Sequence, residues 1–315
     1  MKIVWNPALA RSPEKFISLS KPLKVLDRVF APTRDELVLA SEATAEELVG
    51  AHSEDYVRKV LSLQAPDGFL EFDGSNLPHI LAANGVMIRA AKEALETPGV
   101  AVFAPVSGFH HAAYADGYGY CTFNGLLVAA AALNPGREAP RVLVIDGDGH
   151  EGDGTDDIIG RRIEKFARVG NCTRMTRSTW RARIVAAMAR DWDLVIYQAG
   201  ADAHVEDPYG VGYLTDEGWD ARDELVFTTA AERATPIVFN LAGGYNGLKT
   251  IDLHARTVQA ARFGAAQARR SASLYRAATA KLEPWEKTLS DGPVVEDIVN
   301  DRGLPERGSA DGVVG

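Results

Sequence analysis

The chain has little cysteine, no long apolar run and no excess of positive charge. Only Cys121 and Cys172 occur among 315 residues, so no disulfide framework is implied and an intracellular setting is expected. The opening residues, Met1-Lys2-Ile3-Val4-Trp5-Asn6-Pro7, lack the apolar core of a signal peptide. No apolar run approaches the roughly 20 residues needed to span a bilayer. A cytoplasmic protein with no membrane partner is therefore expected. The net charge of −9 argues against direct nucleic-acid binding, which usually shows as a basic patch. It suits a neutral or cationic ligand. No internal repeat and no dividing linker is visible.

What is present is an ordinary globular composition, 46% apolar and 24% charged, enough for a sizeable core. Val100–Ala104, Arg141–Ile145, Leu194–Gln198 and Ile237–Leu241 are short, β-branched and nearly continuous in apolar residues, as strands buried on both faces should be. Between them lie Ala- and Leu-rich stretches at helical spacing: Ala82–Leu95, Gly125–Leu133, Arg181–Arg190, Asp220–Ala234 and Asp252–Lys281. Such alternation predicts an α/β fold, with βαβ units on a mostly parallel sheet and helices on both faces. Asn134–Pro140 is expected to be a short loop between helix and strand. One domain is expected over 1–291. The tail, 292–315, is rich in Gly, Asp and Arg and is expected to be poorly ordered.

In open α/β sheets, ligands bind beyond the carboxyl ends of the strands. The four strand candidates are followed by Gly108-Phe109-His110-His111, Asp146-Gly147-Asp148-Gly149-His150, Gly200-Ala201-Asp202 and Gly243-Gly244-Tyr245-Asn246. Residues two apart in an extended segment point the same way, so Asp148 and His150 can aim at one point, with Asp146 nearby. With Asp202 they would make three protein ligands and leave a further position open, the pattern of a catalytic zinc site. The plain alternative is a turn, since Asp and Gly dominate turns. His110 and His111 can shuttle a proton and support charge near neutral pH, or be ordinary loop or core histidines. Tyr245 can donate to a developing oxyanion, or simply pack after a turn.

Of the other histidines, His52 is expected at a helix entry, where Ser53 and Glu54 suit a helix start. His79 is read as a cap or loop residue, His254 as a helix-surface residue, and His204 as a neighbour of Asp202. Cys121 can be a nucleophile, a ligand or inert packing.

Phe109-His110-His111-Ala112, Gly119-Tyr120-Cys121-Thr122-Phe123-Asn124, Asp146 through Thr155, Gly200-Ala201-Asp202 and Gly243-Gly244-Tyr245, in that order, resemble the histone deacetylase superfamily, which includes the acetylpolyamine amidohydrolases. The stretch Asp220–Phe227 resembles its class IV branch. The resemblance implies a three-layer arginase/deacetylase α/β fold and metal ligands at Asp148, His150 and Asp202. It implies His111 as general base and acid, with His110 as its electrostatic partner. Asp146 would orient His110, and Asp153 would orient His111. Tyr245 would polarise the scissile carbonyl, and Gly119 and Tyr120 would form part of the substrate tunnel. The implied cofactor is Zn²⁺, with Fe²⁺ as an alternative, and the implied substrate is an acylated amine such as acyl-lysine or an acylated small amine.

One departure stands out. Only 46 residues separate Thr155 from Asp202, where the family carries a longer segment with a strand Ser and His, a Pro- and Gly-rich loop and a tunnel aromatic. Asn171 and Cys172 are expected where that Ser and His would stand, and Arg174, Arg177, Arg181 and Arg183 fill the shortened region. The family's monovalent-cation site (K⁺) would be altered. One tunnel wall would be absent, or supplied by another subunit of a homo-oligomer. Glu151 stands where many members have another His. The competing functions are a ligand-binding protein on the deacetylase scaffold and an arginase-like ureohydrolase.

Overall fold

The structure is a computed structural model that describes residues 1–11, 15–133 and 139–279, with backbone only at 265 and 267–279. Residues Met1–Arg270 cluster as one compact unit. The expected domain end at 291, the tail 292–315, the last residues of the expected helix Asp252–Lys281 and most of the loop Asn134–Pro140 lie outside the described residues.

Seven strands form one sheet: β1 (Lys2–Trp5), β2 (Glu36–Leu39), β3 (Ala101–Ala104), β4 (Val142–Asp146), β5 (Val169–Cys172), β6 (Leu194–Gly200) and β7 (Ile237–Ala242). Their order is β2-β1-β3-β7-β6-β4-β5. Every pairing is parallel, so the sheet is more uniform than the mostly parallel one expected. Consecutive residues of β3, β4, β6 and β7 are all buried. Both faces of these strands are therefore covered, which is why their sequences read as continuous apolar runs.

The helices are α1 (Ile17–Val29), α2 (Ala45–Val49), α3 (Glu54–Leu61), α4 (Leu77–Glu96), α5 (Gly125–Ala132), α6 (Asp153–Arg161), α7 (Trp180–Met188), α8 (Asp216–Glu232) and α9 (Gly247–Thr279). Local chemistry sets several starts. Thr44 and Glu47 form a reciprocal capping box on α2. Ser53 accepts from Tyr56 N–H at α3, Asn124 from Leu127 N–H at α5, and Thr215 from Gly218 N–H at α8. None of the described helices is long and apolar enough to cross a membrane.

The four strands expected from sequence are β3, β4, β6 and β7, with ends shifted by one or two residues. Three strands went unread. β2 is an edge strand with mostly exposed side chains, so it lacks a buried run. β5, Val-Gly-Asn-Cys, is equally short and only partly buried. β1 is a four-residue strand at the chain start.

Candidate active site

β3, β7, β6 and β4 are consecutive in the sheet. The four polar segments that follow them in sequence therefore emerge side by side at one edge. Asp146 is the last residue of β4. Asp148 and His150 lie in the turn beyond it, Asp202 in a single 3-10 turn after β6. His110, His111, Gly119, Tyr120, Asp148, His150 and Tyr245 line one cavity of about 300 Å³. Asp202 lies behind His150, fully buried.

Asp148, His150 and Asp202 each bring one donor atom to within 4.8 Å of the others. His150 Nδ1 is 2.8 Å from Asp202 Oδ2 and 3.3 Å from Asp148 Oδ1, while its Nε2 faces the Tyr209 carbonyl at 3.0 Å. An Nε2–H donated to that carbonyl leaves the Nδ1 lone pair aimed between the carboxylates, the tautomer a ligating histidine needs. The two carboxylates are almost wholly buried. Burial and the Asp148 charge raise Asp202. At Asp148 burial is outweighed by His110 and His150, which lower it. His150 is raised to about 10 by its bonds to the two carboxylates. Two adjacent buried carboxylates thus bind a proton tightly in the place where a divalent cation would satisfy them, and a carboxylate-and-imidazole donor set suits Zn²⁺.

Two His–Asp pairs flank this group. His110 Nδ1 is 2.7 Å from Asp146 Oδ2, and His111 Nδ1 is 2.7 Å from Asp153 Oδ1. Burial works against the His110 imidazolium, but Asp146 and Asp148 prevail and raise it to about 10. Asp153 is the first residue of α6, where the helix dipole favours a carboxylate. The Gln198 amide donates to Asp146 Oδ1 at 3.0 Å and accepts from Phe109 N–H at 3.1 Å, so one fully buried side chain ties the β3 and β4 segments together. Its signal in the sequence is a polar residue within an otherwise apolar strand.

Gly119 and Tyr120 are the central residues of the turn that links Tyr118 to Cys121, with φ of +58° and +65°. Positive φ at both centres is the signature of a type I′ turn. It is unusual for a tyrosine and holds the Tyr120 ring at the cavity mouth. Gly243, at φ +46°, passes so close to Asp202 that a Cβ would lie 2.3 Å from its Cγ; no larger residue fits. Tyr245 follows, its N–H donated to Asp207 Oδ2 at 2.6 Å. Burial and the Asp148 and Asp202 charges raise its phenol well above the usual range, so it remains a hydrogen-bond donor.

Several residues escaped the sequence reading. Lys21 of α1 is 1% exposed, lines the same cavity and donates to the Gly243 carbonyl. Burial lowers its ammonium to about 8, opposed by Asp202 and Asp148. Arg222 of α8, also fully buried, donates to the carbonyls of Gly147 (2.9 Å) and Gly200 (3.3 Å), clamping the turns that carry Asp148 and Asp202. On the shortened segment, Asn171 turns to Asp156 and Cys172 is buried. The hydroxyl near the site is that of Thr173, one residue later, facing Gly152 N–H at 3.4 Å.

Other expectations are corrected. His254 is not on a helix surface but fully buried within α9; burial, Lys21 and Arg222 keep it neutral. His79 is neither cap nor loop but a buried residue in the first turn of α4. His52 does precede α3, where it bridges the Ala113 carbonyl and Asn124 N–H at 2.8 Å each. Cys121 lines the cavity, but burial pushes its thiol up to about 12, which favours inert packing. His204 lies with Glu206 and Asp216 in a second group with metal-ligand spacing. There His204 Nδ1 accepts the Glu206 N–H, His204 Nε2 faces Asp216 Oδ1 at 3.6 Å, and Asp216 is paired with Lys249 and Arg256.

No residue between His150 and Tyr209 is among those lining the cavity. The shortened segment contributes no aromatic wall, and Tyr209, 72% exposed, stands at the mouth instead.

Residues 12–166 and 173–261 match the histone deacetylase domain family model. An uncharacterised protein of Picosynechococcus sp. is 30% identical over 188 residues, covering 52% of this chain and 62% of its own length. Histone deacetylase 2 of Arabidopsis thaliana is 28% identical over 241 residues, covering 65% and 62%. The chain thus spans about 62% of the length of these curated relatives. The crystal structure of the acetylpolyamine aminohydrolase of Burkholderia pseudomallei superposes with a TM-score of 0.65 at 16% identity, over 83% of this chain and 98% of that one. The shared architecture is the arginase/deacetylase α/β fold expected from the motifs.

Proposed function

The chain belongs to the histone deacetylase domain family, and on that premise we propose that it is a metal-dependent amidohydrolase. It removes an acyl group, commonly acetyl, from an acylated amine such as acyl-lysine or an acylated small amine. The observation that carries this reading is the convergence of Asp148, His150 and Asp202 at a cavity also lined by His110, His111 and Tyr245. The three donors would hold Zn²⁺, with Fe²⁺ as the alternative. When bound, the metal would polarise the acyl carbonyl and acidify a water molecule.

The protein groups carry the remaining work. Asp153 holds His111 Nδ1, leaving Nε2 to take the water proton and return it to the departing amine. His110, kept cationic by Asp146, supplies fixed positive charge beside it. The neutral Tyr245 hydroxyl donates to the carbonyl oxygen as negative charge develops. Gly119 and Tyr120 guide the substrate in. Water adds to the carbonyl carbon, the C–N bond breaks, and a carboxylate and an amine leave. The reading includes a cytoplasmic setting, supported by two buried free cysteines.

The test is metal-dependent release of acetate from an acetyl-lysine peptide and from acetylated polyamines, with metal content measured per chain. Turnover that follows one metal ion per chain is expected. A panel of acyl amines left intact by metal-loaded protein would replace the enzyme with a ligand-binding role, and two manganese ions per chain would favour the ureohydrolase.

A further inference from the structure

Two buried ionisable groups lining the cavity take no part in the deacylation chemistry. Cys121 is held as a thiol. The other is Lys21. Its ammonium is buried, and among the described residues its one hydrogen bond goes to the Gly243 carbonyl. A buried ammonium with a single neutral acceptor is costly unless an anion completes it. Two carboxylates, Asp202 and Asp148, act on Lys21 electrostatically without bonding to it, as does Asp207 more weakly.

Those two carboxylates are the ones a divalent cation would neutralise. Once they are occupied, Asp146 remains matched with His110, and Asp207 is engaged by the backbone N–H groups of Tyr209, Gly210 and Tyr245. Lys21 is then the buried cation of the cavity with no carboxylate bonded to it among the described residues. The wall beside it is polar as well: Ser18 and Ser107 line the same space, and Ser107 donates to the Ser18 carbonyl. An apolar acyl tail gains little from such a floor, whereas a carboxylate can accept directly from the ammonium.

Resting on the deacylase reading, we propose that Lys21 forms a carboxylate subsite at the cavity floor, which makes acyl groups ending in a carboxylate, of the succinyl class, preferred over neutral acyl groups. The acyl carbonyl would lie at the Asp148–His150–Asp202 group while the far carboxylate reaches Lys21. The bond broken is the same amide, and the products are an amine and a dicarboxylate.

The experiment uses the full chain loaded with zinc at pH 7. Calorimetric affinities for succinate and butyrate, acids of equal carbon count, are compared in wild type and in Lys21→Met, which retains an unbranched chain without the charge. Succinate should bind roughly tenfold more tightly than butyrate in wild type. The advantage should vanish in Lys21→Met and return in Lys21→Arg. In parallel, kcat/KM for N-succinyl and N-butyryl derivatives of one amine should show the same Lys21-dependent ratio. Equal affinities for the two acids in wild type overturn the subsite, a comparison that stands even if a variant does not fold. A succinate preference that survives Lys21→Met overturns it too. Acetyl-amine turnover with no succinate preference removes the subsite and leaves the deacylase reading intact. Protein inert on every acyl amine, yet with a Lys21-dependent succinate advantage, supports the subsite and removes the deacylase reading.

Discussion

At the sheet edge, Asp146, Asp148, Gln198 and Asp202 are buried, and Asp146 and Asp202 each use both carboxylate oxygens. At the cavity mouth, Tyr120 and Tyr209 are 46% and 72% exposed. The segment from Thr155 to Asp202 contributes nothing to the lining. At the edge, closely packed glycines, Gln198 and Arg222 hold the segments carrying Asp146, Asp148 and Asp202 from a second direction. The mouth has no such constraint. The difference separates the buried groups to which the proposed chemistry is assigned from the exposed side chains past which a substrate would enter. Changes at the edge should then abolish chemistry, and changes at the mouth should shift affinity.

The largest expected effect is at the edge. Asp202→Ala removes one of three donors, so metal analysis should fall from about one ion per chain to almost none, with turnover down by roughly 10³-fold or more. Full metal occupancy in that variant would mean that the third donor lies elsewhere. Tyr245→Phe sharpens the contrast by separating metal from carbonyl contact. Turnover should fall about 10²–10³-fold, the usual loss of an oxyanion donor, while metal content stays at wild type. Unchanged turnover would take Tyr245 out of the mechanism.

A third test addresses why the edge is so fixed. In the metal-free chain, bonds to Asp148 and Asp202 raise His150 to about 10, so at pH 7 a proton lies where the metal would bind. Metal must displace it. Calorimetry in buffers of different ionisation enthalpy should show about one proton released per ion at pH 7, with affinity rising as pH rises towards about 10. The stability linkage has the matching sign. A group raised on folding stabilises fully below its unfolded value, near 6.5, and loses that contribution as pH rises through about 10. The metal-free protein should therefore lose thermal stability over that window, and metal-loaded protein should not share this loss. Zinc affinity independent of pH between 6 and 9 would break the assignment.

Much of this edge was legible in the sequence because its logic is local. β3, β4, β6 and β7 announce themselves as short β-branched runs, and each is followed at once by Asp, His or Tyr among glycines. The convergence of those segments needed only the rule that parallel strands present their carboxyl ends together. What stayed hidden depends on packing between distant elements. Lys21 precedes every motif, and nothing in its sequence context singles it out until α1 places it beside Gly243, 222 residues away. His254 stands between Asp252 and Arg256, which suit a helix surface, yet it shares a covered face of α9 with Thr250, Thr257 and Val258, all buried. Arg222 was read as part of a family-like string, with no sign that it would be wholly buried against Trp219, 4.0 Å from its ring.

The smallest effect belongs to the mouth, and it decides whether the two regions are separable. The Tyr209 side chain stands in solvent, with its ring 5.5 Å from that of Tyr245, while its backbone carbonyl holds His150 Nε2. Tyr209→Ala removes the ring and leaves the carbonyl, so the mouth can be altered without disturbing the tautomer of a metal donor. The expected outcome is a KM about two- to fivefold higher with kcat and metal content unchanged, the pattern of binding lost equally from ground and transition states. A kcat that falls tenfold or more at unchanged metal content would show that the Tyr209 ring helps to place Tyr245, and that the mouth and the catalytic edge act as one unit.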